Sequence, residues 1–509
     1  MDELVLQAQR WVNSTYAGLP GWVGAPEDGR TGWSTMYALT RALQSELGIA
    51  PQSDSFGPAT FAALTARGDV RRGEPNARLV RVVQAGCACK GYAAGAFDGV
   101  FGDATARAVD RLRTDAGLPA TGTLSPKVFR ALLTMDAYVL VPGGTAPVRA
   151  VQRWLNGRYL PRALFSVVPC DGRASRELQK ALVLALQYEV GLSDAEANGT
   201  FGPATQAGLK ARGAVGPGSA DGAAQFVHLF QAALLLQGRR TAFDGRFTTS
   251  TATTVRAFQA FCALPVTGRG DFPTWASLLV STGDPARPVT AADCVTTITG
   301  PRATALRRAG YRVVGRYLTN APGSSLDKQI KPGELATLFG AGLRLLPIYQ
   351  TSGGSAAYFT AEQGRTDARL ADEAARRHRL PAGALLYFAC DYDATDADLD
   401  ARVLPYFTGV RDGLVAAGSR YRHGVYGSRN VCARVSALTG AAASFVSGMS
   451  TGYSGNAGYP LPDNWAFDQI ATVRVGTGPG AVEIDRDAHR PARDPGVGAL
   501  APLRQGEGA

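Results

Sequence analysis

Residues 384–396 read ALLYFACDYDATD. Seven apolar residues run straight into Asp391, and Asp393 stands two positions further on. A continuous apolar run marks a strand buried on both faces, and in α/β folds the carboxyl ends of such strands collect loops and sites. Residues two apart on a strand share a face, so the pattern predicts that Asp391 and Asp393 point the same way. Two crowded carboxyls suit acid–base work, because the charge of one raises the pKa of the other and separates a proton donor from an ionised partner. The same residues also make good turn and helix-cap chemistry, so the rest of the chain has to decide.

Other chemistries find little support. The seven cysteines are odd in number, and only Cys87 and Cys89 are close. A single C-x-C lacks the second pair that a structural zinc site needs. Cys390 falls on the strand face opposite Asp391 and reads as a buried thiol. His228, His378, His423 and His489 show no metal-ligand spacing, so neither a metal nor a cofactor is expected. The two glycine-rich nucleotide loops are absent as motifs. The net charge of +11 favours anionic partners. Its scatter, without a basic stripe interleaved with aromatics, argues against nucleic acid. No apolar run approaches the roughly 20 residues that span a bilayer, so membrane insertion is not expected.

An acid pair at a strand end needs a scaffold. After a Pro- and Gly-containing linker (281–292), strand-like runs fall at 293–296, 311–318, 343–350, 384–391, 422–428, 444–450, 464–470 and 481–487. Helical stretches such as 365–378 and 404–418 lie between several of them. Eight strands with helical crossovers predict an α/β domain at 290–495, a (β/α)8 TIM-like barrel, with an open doubly wound sheet as the alternative. Polar residues at the strand ends of a barrel converge on one mouth. Here they are Asp293, Arg316, Tyr317, Tyr349, Gln350, Asp391, Asp393, Tyr426, Gln469, Asp485 and Asp487. Several carboxyls among aromatic and amide groups suit glycoside hydrolysis, in which a neutral acid protonates the glycosidic oxygen and an ionised partner acts as base, nucleophile or charge stabiliser.

The first 283 residues repeat themselves. FGPAT occurs at 56–60 and 201–205, QRWVNSTY at 9–16 returns as QRWLNGRY at 152–159, and DGR at 28–30 returns at 171–173. AFDGVFGDATARAVDRLRTDAGLPATG (96–122) is echoed by AFDGRFTTSTATTVRAFQAFCALPVTG (242–268). These repeats define four units, 1–70, 76–137, 147–213 and 221–282, each expected as a small all-α three-helix module. Ser125 before Pro126 is a good helix start, and Pro58 and Pro203 take the same place in their units.

The repeat pattern resembles the type-1 peptidoglycan-binding domain. The second unit carries its motif most fully, from Asp98-Gly99 through Phe101-Gly102, Thr105, Ala108-Val109, Gly117-Leu118 and Gly122 to Leu132. The fourth keeps Phe258-Gln259 but reads FTTST where the motif has FG-x-x-T. The segment 291–490 resembles the glycoside-hydrolase-like domain-of-unknown-function family 1906, through GYRVVGRYLTN, YFACDYDATDAD, GVYGSRNVCARV, NWAFDQI and EIDRDAHR. More distantly it is similar to the Chalaropsis-type lysozymes of glycoside hydrolase family 25. That resemblance implies site positions at Asp293, at Asp391 with Asp393, near Gln469 and at Asp485. The lysozymes' catalytic Glu is Asp393 here, shorter in reach by one C–C bond, about 1.5 Å. A misplacement of ~1 Å can lower a rate about a hundredfold.

Together these readings imply a lysozyme-like hydrolase of peptidoglycan or a related cell-wall glycan, held to the wall by four binding modules. In it Asp393 is the general acid, Asp391 tunes it, and Asp293 and Asp485 position substrate and stabilise charge. Arg316, Tyr317, Tyr349, Gln350, Tyr426, Gln469 and Asp487 bind the sugar. The alternative is a non-catalytic glycan-binding protein with a degenerate barrel. The amino terminus MDELVLQAQRW has no basic n-region or apolar core, so the chain is expected to be cytoplasmic as synthesised. It would act at the wall after lysis or with the help of an export or injection apparatus.

Overall fold

A computed structural model describes residues 1–502 and divides the chain into two compact units, Met1–Thr200 and one from Phe201 onward. The division falls inside the third sequence repeat rather than at its end.

The first unit is helical: α1 (Glu3–Tyr16), α2 (Trp33–Glu46), α3 (Pro58–Arg67), α4 (Ala77–Cys89), α5 (Asp103–Asp115), α6 (Pro126–Leu132), α7 (Ala146–Tyr159) and α8 (Arg176–Glu189). The second opens with α9 (Pro203–Arg212), α10 (Phe226–Leu236), α11 (Thr249–Phe261) and α12 (Phe272–Leu279). Pro58, Pro126 and Pro203 each open a helix, where the missing N–H costs nothing. Each helix turns an apolar stripe inward, as α4 does with Leu79, Val80, Val82 and Val83.

One polar device recurs in all four repeats. A buried helix glutamine reaches across to an Asp-Gly turn: Gln9 to Asp28-Gly29, Gln84 to Asp98-Gly99, Gln152 to Asp171-Gly172, and Gln231 to Asp244-Gly245. The amide NH2 donates to the aspartate, and the amide oxygen accepts the glycine N–H at 2.8–3.0 Å. These four glycines have φ between +63° and +80°, a conformation that side-chain-bearing residues reach only with strain. The repeated DG motif is therefore a turn requirement, and the matching glutamine satisfies its buried donors.

The rest of the second unit is a closed barrel of eight strands in sequence order: β1 (Ala291–Asp293), β2 (Val313–Tyr317), β3 (Arg344–Tyr349), β4 (Leu385–Ala389), β5 (Arg422–Gly427), β6 (Ser444–Val446), β7 (Trp465–Val475) and β8 (Val482–His489). Strands β1 to β7 pair in parallel. Ile348, Leu385, Tyr387, Phe445 and Phe467 pack together in its core.

The barrel departs from the expected (β/α)8 pattern at its last strand. β8 runs antiparallel to both β7 and β1. β7 continues to Val475, leaving only residues 476–481 before β8, and a parallel return needs a crossover of a dozen residues or more. The chain therefore turns back as a hairpin.

The stretch 281–292 is not a loose linker. Ser281 is buried and its hydroxyl donates to the Gly448 carbonyl at 2.6 Å. Trp465 packs edge-on against Phe261 of α11 and donates its indole N–H to the Phe261 carbonyl at 3.0 Å. Arg287 faces Asp468 across 3.6 Å.

Candidate functional site at the barrel mouth

Asp293, Tyr317, Ile348, Gln350, Ala389, Asp391, Tyr426, Phe445 and Gln469 line one cleft at the carboxyl ends of the parallel strands. Pleat alternation selects them. On β2 Tyr317 turns into the barrel, and beyond the end of β3 Gln350 does the same while its neighbour Tyr349 turns out.

Two hydrogen-bonded groups face each other across this cleft. On one side Gln469 donates to Asp293 at 2.8 Å and to Asp485 at 3.1 Å, while its oxygen accepts the Tyr426 hydroxyl at 3.0 Å. Thr472 donates to the other Asp485 oxygen. On the other side Gln350 donates to Asp391 at 3.1 Å and accepts from Lys328 at 2.9 Å. The Lys328 ammonium also lies 4.2 Å from the Tyr317 ring centroid, a cation–π contact.

The electrostatics follow from burial. Asp293 is 3% exposed, and burial together with the Asp485 charge pushes its pKa up to about 8, against the opposing bond from Gln469. Burial thus favours its neutral form. Burial also raises Asp485. Lys328 is pushed down to about 8 by burial, with Asp391 pulling the other way.

Several residues expected at the mouth lie elsewhere. Arg316 and Tyr349 occupy outward positions of strands whose inward neighbours line the cleft. Arg316 is fully buried against Glu334, with Nε 2.7 Å from Oε1, and it donates to the Cys294 carbonyl. The Tyr349 hydroxyl donates to Asp367 on the helix Ala361–Arg377, which also accepts from Tyr358 and Tyr406. Both are scaffold contacts, and strand alternation explains them: adjacent residues cannot both face inward.

Asp487 is corrected by strand direction. On a parallel strand a later residue lies nearer the mouth, but β8 is antiparallel. Asp485 pairs with Asp293 at the mouth, whereas Asp487 pairs with Ala291 deeper in the barrel. Asp487 is fully buried, and burial with the fields of Asp293, Asp485 and Asp468 raises its pKa well above the usual range.

Asp391 and Asp393 part company. β4 ends at Ala389; Ala389 and Asp391 both face the cleft, and the period-two alternation is lost before Asp393. Asp391 lies in the cleft, while Asp393 is exposed and accepts the Ser454 N–H at 2.6 Å and its hydroxyl at 2.7 Å. Lys328 was missed in the sequence. It comes from the loop after β2, where no spacing rule applies; only the rule that loops at strand ends build the mouth pointed there.

The cleft encloses about 20 Å³, room for little more than one water. Any larger ligand must therefore sit over the opening rather than inside it.

Comparison with known proteins agrees with both halves. Residues 304–489 match the family described as Rv2525c-like, glycoside hydrolase-like domain. Residues 76–132 match a putative peptidoglycan binding domain, and 141–279 match the FadG/YbfG, PGDB-like domain. The uncharacterized protein FadG of Bacillus subtilis (strain 168) is 51% identical over 490 residues, spanning 96% of this chain and 84% of that protein. The uncharacterized protein YbfG of the same organism is 40% identical over 517 residues, spanning 99% of this chain and 69% of that protein. Among solved structures, the Mycobacterium tuberculosis Tat-secreted protein Rv2525c covers 40% of this chain and 95% of its own at 23% identity, with a TM-score of 0.33. The chain belongs to the FadG/YbfG family, with a peptidoglycan-binding domain in its amino-terminal half and a glycoside hydrolase-like domain at its carboxyl end.

Proposed function

We propose that this protein is a lysozyme-like hydrolase of cell-wall glycan that binds its sugar over the barrel mouth and is held to the wall by its helical repeats. The observation that carries this reading is the convergence of Asp293, Asp391 and Asp485, from three different strands, on one opening edged by Tyr317, Gln350, Tyr426 and Gln469. Glycosidic cleavage uses carboxyls in pairs, one giving a proton and another holding charge. In this reading Asp391, the carboxyl of the acid pair that faces the opening, meets the glycosidic oxygen as proton donor. Asp393 on the rim grips a neighbouring sugar hydroxyl. Asp485, held by Gln469 and Thr472, stabilises positive charge on the ring, while Asp293 beneath it fixes Gln469 in place. The four repeats are read as one wall-binding module each.

A second reading, a glycan-binding barrel without catalysis, draws on the small enclosed volume and on the engagement of Asp393 by Ser454. Mass spectrometry of material released from purified peptidoglycan separates the two. Cleaved glycan is expected from the native chain, with release lowered about 10²–10⁴-fold in Asp391→Asn, the usual size of general acid catalysis. Retention on walls without any release by the native chain would establish the second reading instead.

A further inference from the structure

The first compact unit carries an open groove that the barrel chemistry does not use. One wall is the outward stripe of α1, with Gln7, Arg10, Trp11 and Ser14, and the other is the start of α4, with Arg78 and Arg81. Phe97, in the loop before the second repeat's Asp-Gly turn, closes one end. Gln7 to Ser14 spans about 10 Å along the helix axis.

The groove has an aromatic floor and a cationic rim. Trp11 and Phe97 are each half-buried and meet edge to face, with centroids 5.5 Å apart. Trp11 also meets Tyr16 at 5.7 Å and both rings pack on the core, so the part of each ring left exposed is what can meet the apolar C–H face of a sugar. The charges around them are unequal. Arg10 is offset by Glu27, 3.7 Å away, and Glu27 also accepts from Asn13. Arg78 is 61% exposed and stands 4.0 Å from Glu46 at the edge of ion-pair range. Arg81 donates to the Asp98 backbone carbonyl, while the Asp98 carboxylate is taken up by Gln84 and the Val100 N–H. Two guanidinium groups thus stand beside the aromatic floor, Arg78 with Glu46 at the edge of range and Arg81 near an Asp98 carboxylate whose bonds go to Gln84 and Val100.

We infer that this groove between the first two repeats binds an anionic glycan strand, a sugar face lying on Trp11 and Phe97 and an acidic substituent held by Arg78 and Arg81. Guanidinium forks match both carboxylate and phosphate geometry, so the acidic group is either a carboxylate of peptidoglycan or a phosphate of a polymer attached to it. The inference deepens the wall-anchoring part of the proposed function and is independent of catalysis. It also places the ligand across two repeats rather than within one.

The test uses the full-length protein, purified peptidoglycan sacculi, and the same sacculi stripped of attached phosphate polymers with hydrofluoric acid. Arg78 and Arg81 do not belong to the buried core, so the variant Arg78→Ala/Arg81→Ala is expected to fold, which its melting curve checks. Wall affinity of that variant is expected to fall about tenfold or more at low salt, with most of the salt dependence gone. Trp11→Phe is expected to lose less. If the native chain binds both sacculus preparations equally, the acidic group is a carboxylate; if stripping reproduces the loss seen in the double variant, it is a phosphate. Native affinity in a folded double variant for both preparations overturns the inference, as does a native chain that binds neither. Release of soluble glycan fragments is measured alongside, and its loss in the native protein would count against the hydrolase reading while leaving the groove untouched.

Discussion

Replacing Arg316 by Met tests the assignment of that residue to the scaffold rather than to the sugar site. Arg316 makes three hydrogen bonds in complete burial: Nε to Glu334 at 2.7 Å, Nη1 to the Cys294 carbonyl at 2.6 Å, and Nη2 to Glu334 at 3.5 Å. Methionine fills most of the volume but leaves Glu334 without its cation. Glu334 keeps two backbone donors, Ile298 at 2.8 Å and Lys331 at 2.8 Å, which soften the loss without cancelling it. Removing one partner of a buried pair costs about 3–5 kcal/mol. For a cooperative unit of about 300 residues the unfolding entropy is roughly 0.6 kcal/mol/K, so the expected fall in Tm is about 5–8 °C. Arg316→Met combined with Glu334→Gln is expected to recover part of that fall, because the orphaned charge is gone while an acceptor remains for Ile298 or Lys331. Calorimetric unfolding of the three proteins measures this, with glycan binding measured beside it. An Arg316→Met protein that melts within 1 °C of the parent yet binds glycan poorly would return Arg316 to the mouth and refute the alternation argument.

Asp293 is raised in the folded state, so its stabilising contribution is complete below about pH 4 and is lost as pH rises towards about 8. The parent's urea midpoint should therefore decline between pH 5 and pH 8 more steeply than that of Asp293→Asn; equal slopes would contradict the buried neutral acid. Gln84 holds the Asp98-Gly99 turn through its amide NH2 and oxygen, so Gln84→Leu should destabilise the first unit by about 2–4 kcal/mol, read as a lowered urea midpoint. No loss would mean that the turn stands without its clamp. A chain begun at residue 284 loses the Phe261 acceptor of Trp465 and the Ser281 partners of Gly448 and Arg429. Such a chain should bind an apolar dye and melt below one begun at residue 214, and identical melting would restore 281–292 to a simple linker.

Residue pattern alone carried the repeats, the helix starts at Pro58, Pro126 and Pro203, and the approximate places of eight strands, because these rest on local backbone chemistry and period. Asp293, Tyr317, Gln350, Asp391, Tyr426 and Gln469 were legible as mouth residues on the same grounds: each ends, follows or occupies a strand whose apolar run is visible in the chain. What stayed hidden was set by contacts between distant segments. The reversed β8 dropped Asp487 below the mouth, and the register of β2 and β3 sent Arg316 and Tyr349 outward. The early end of β4 separated Asp391 from Asp393. Lys328 reached the cleft from a loop with no periodicity to read, and the packing of 281–292 against the barrel depends on Gly448, Arg429 and Asp468, which lie more than a hundred residues away in the chain. Strand direction and register come from pairing partners far apart in sequence, so they become fixed only when the barrel closes.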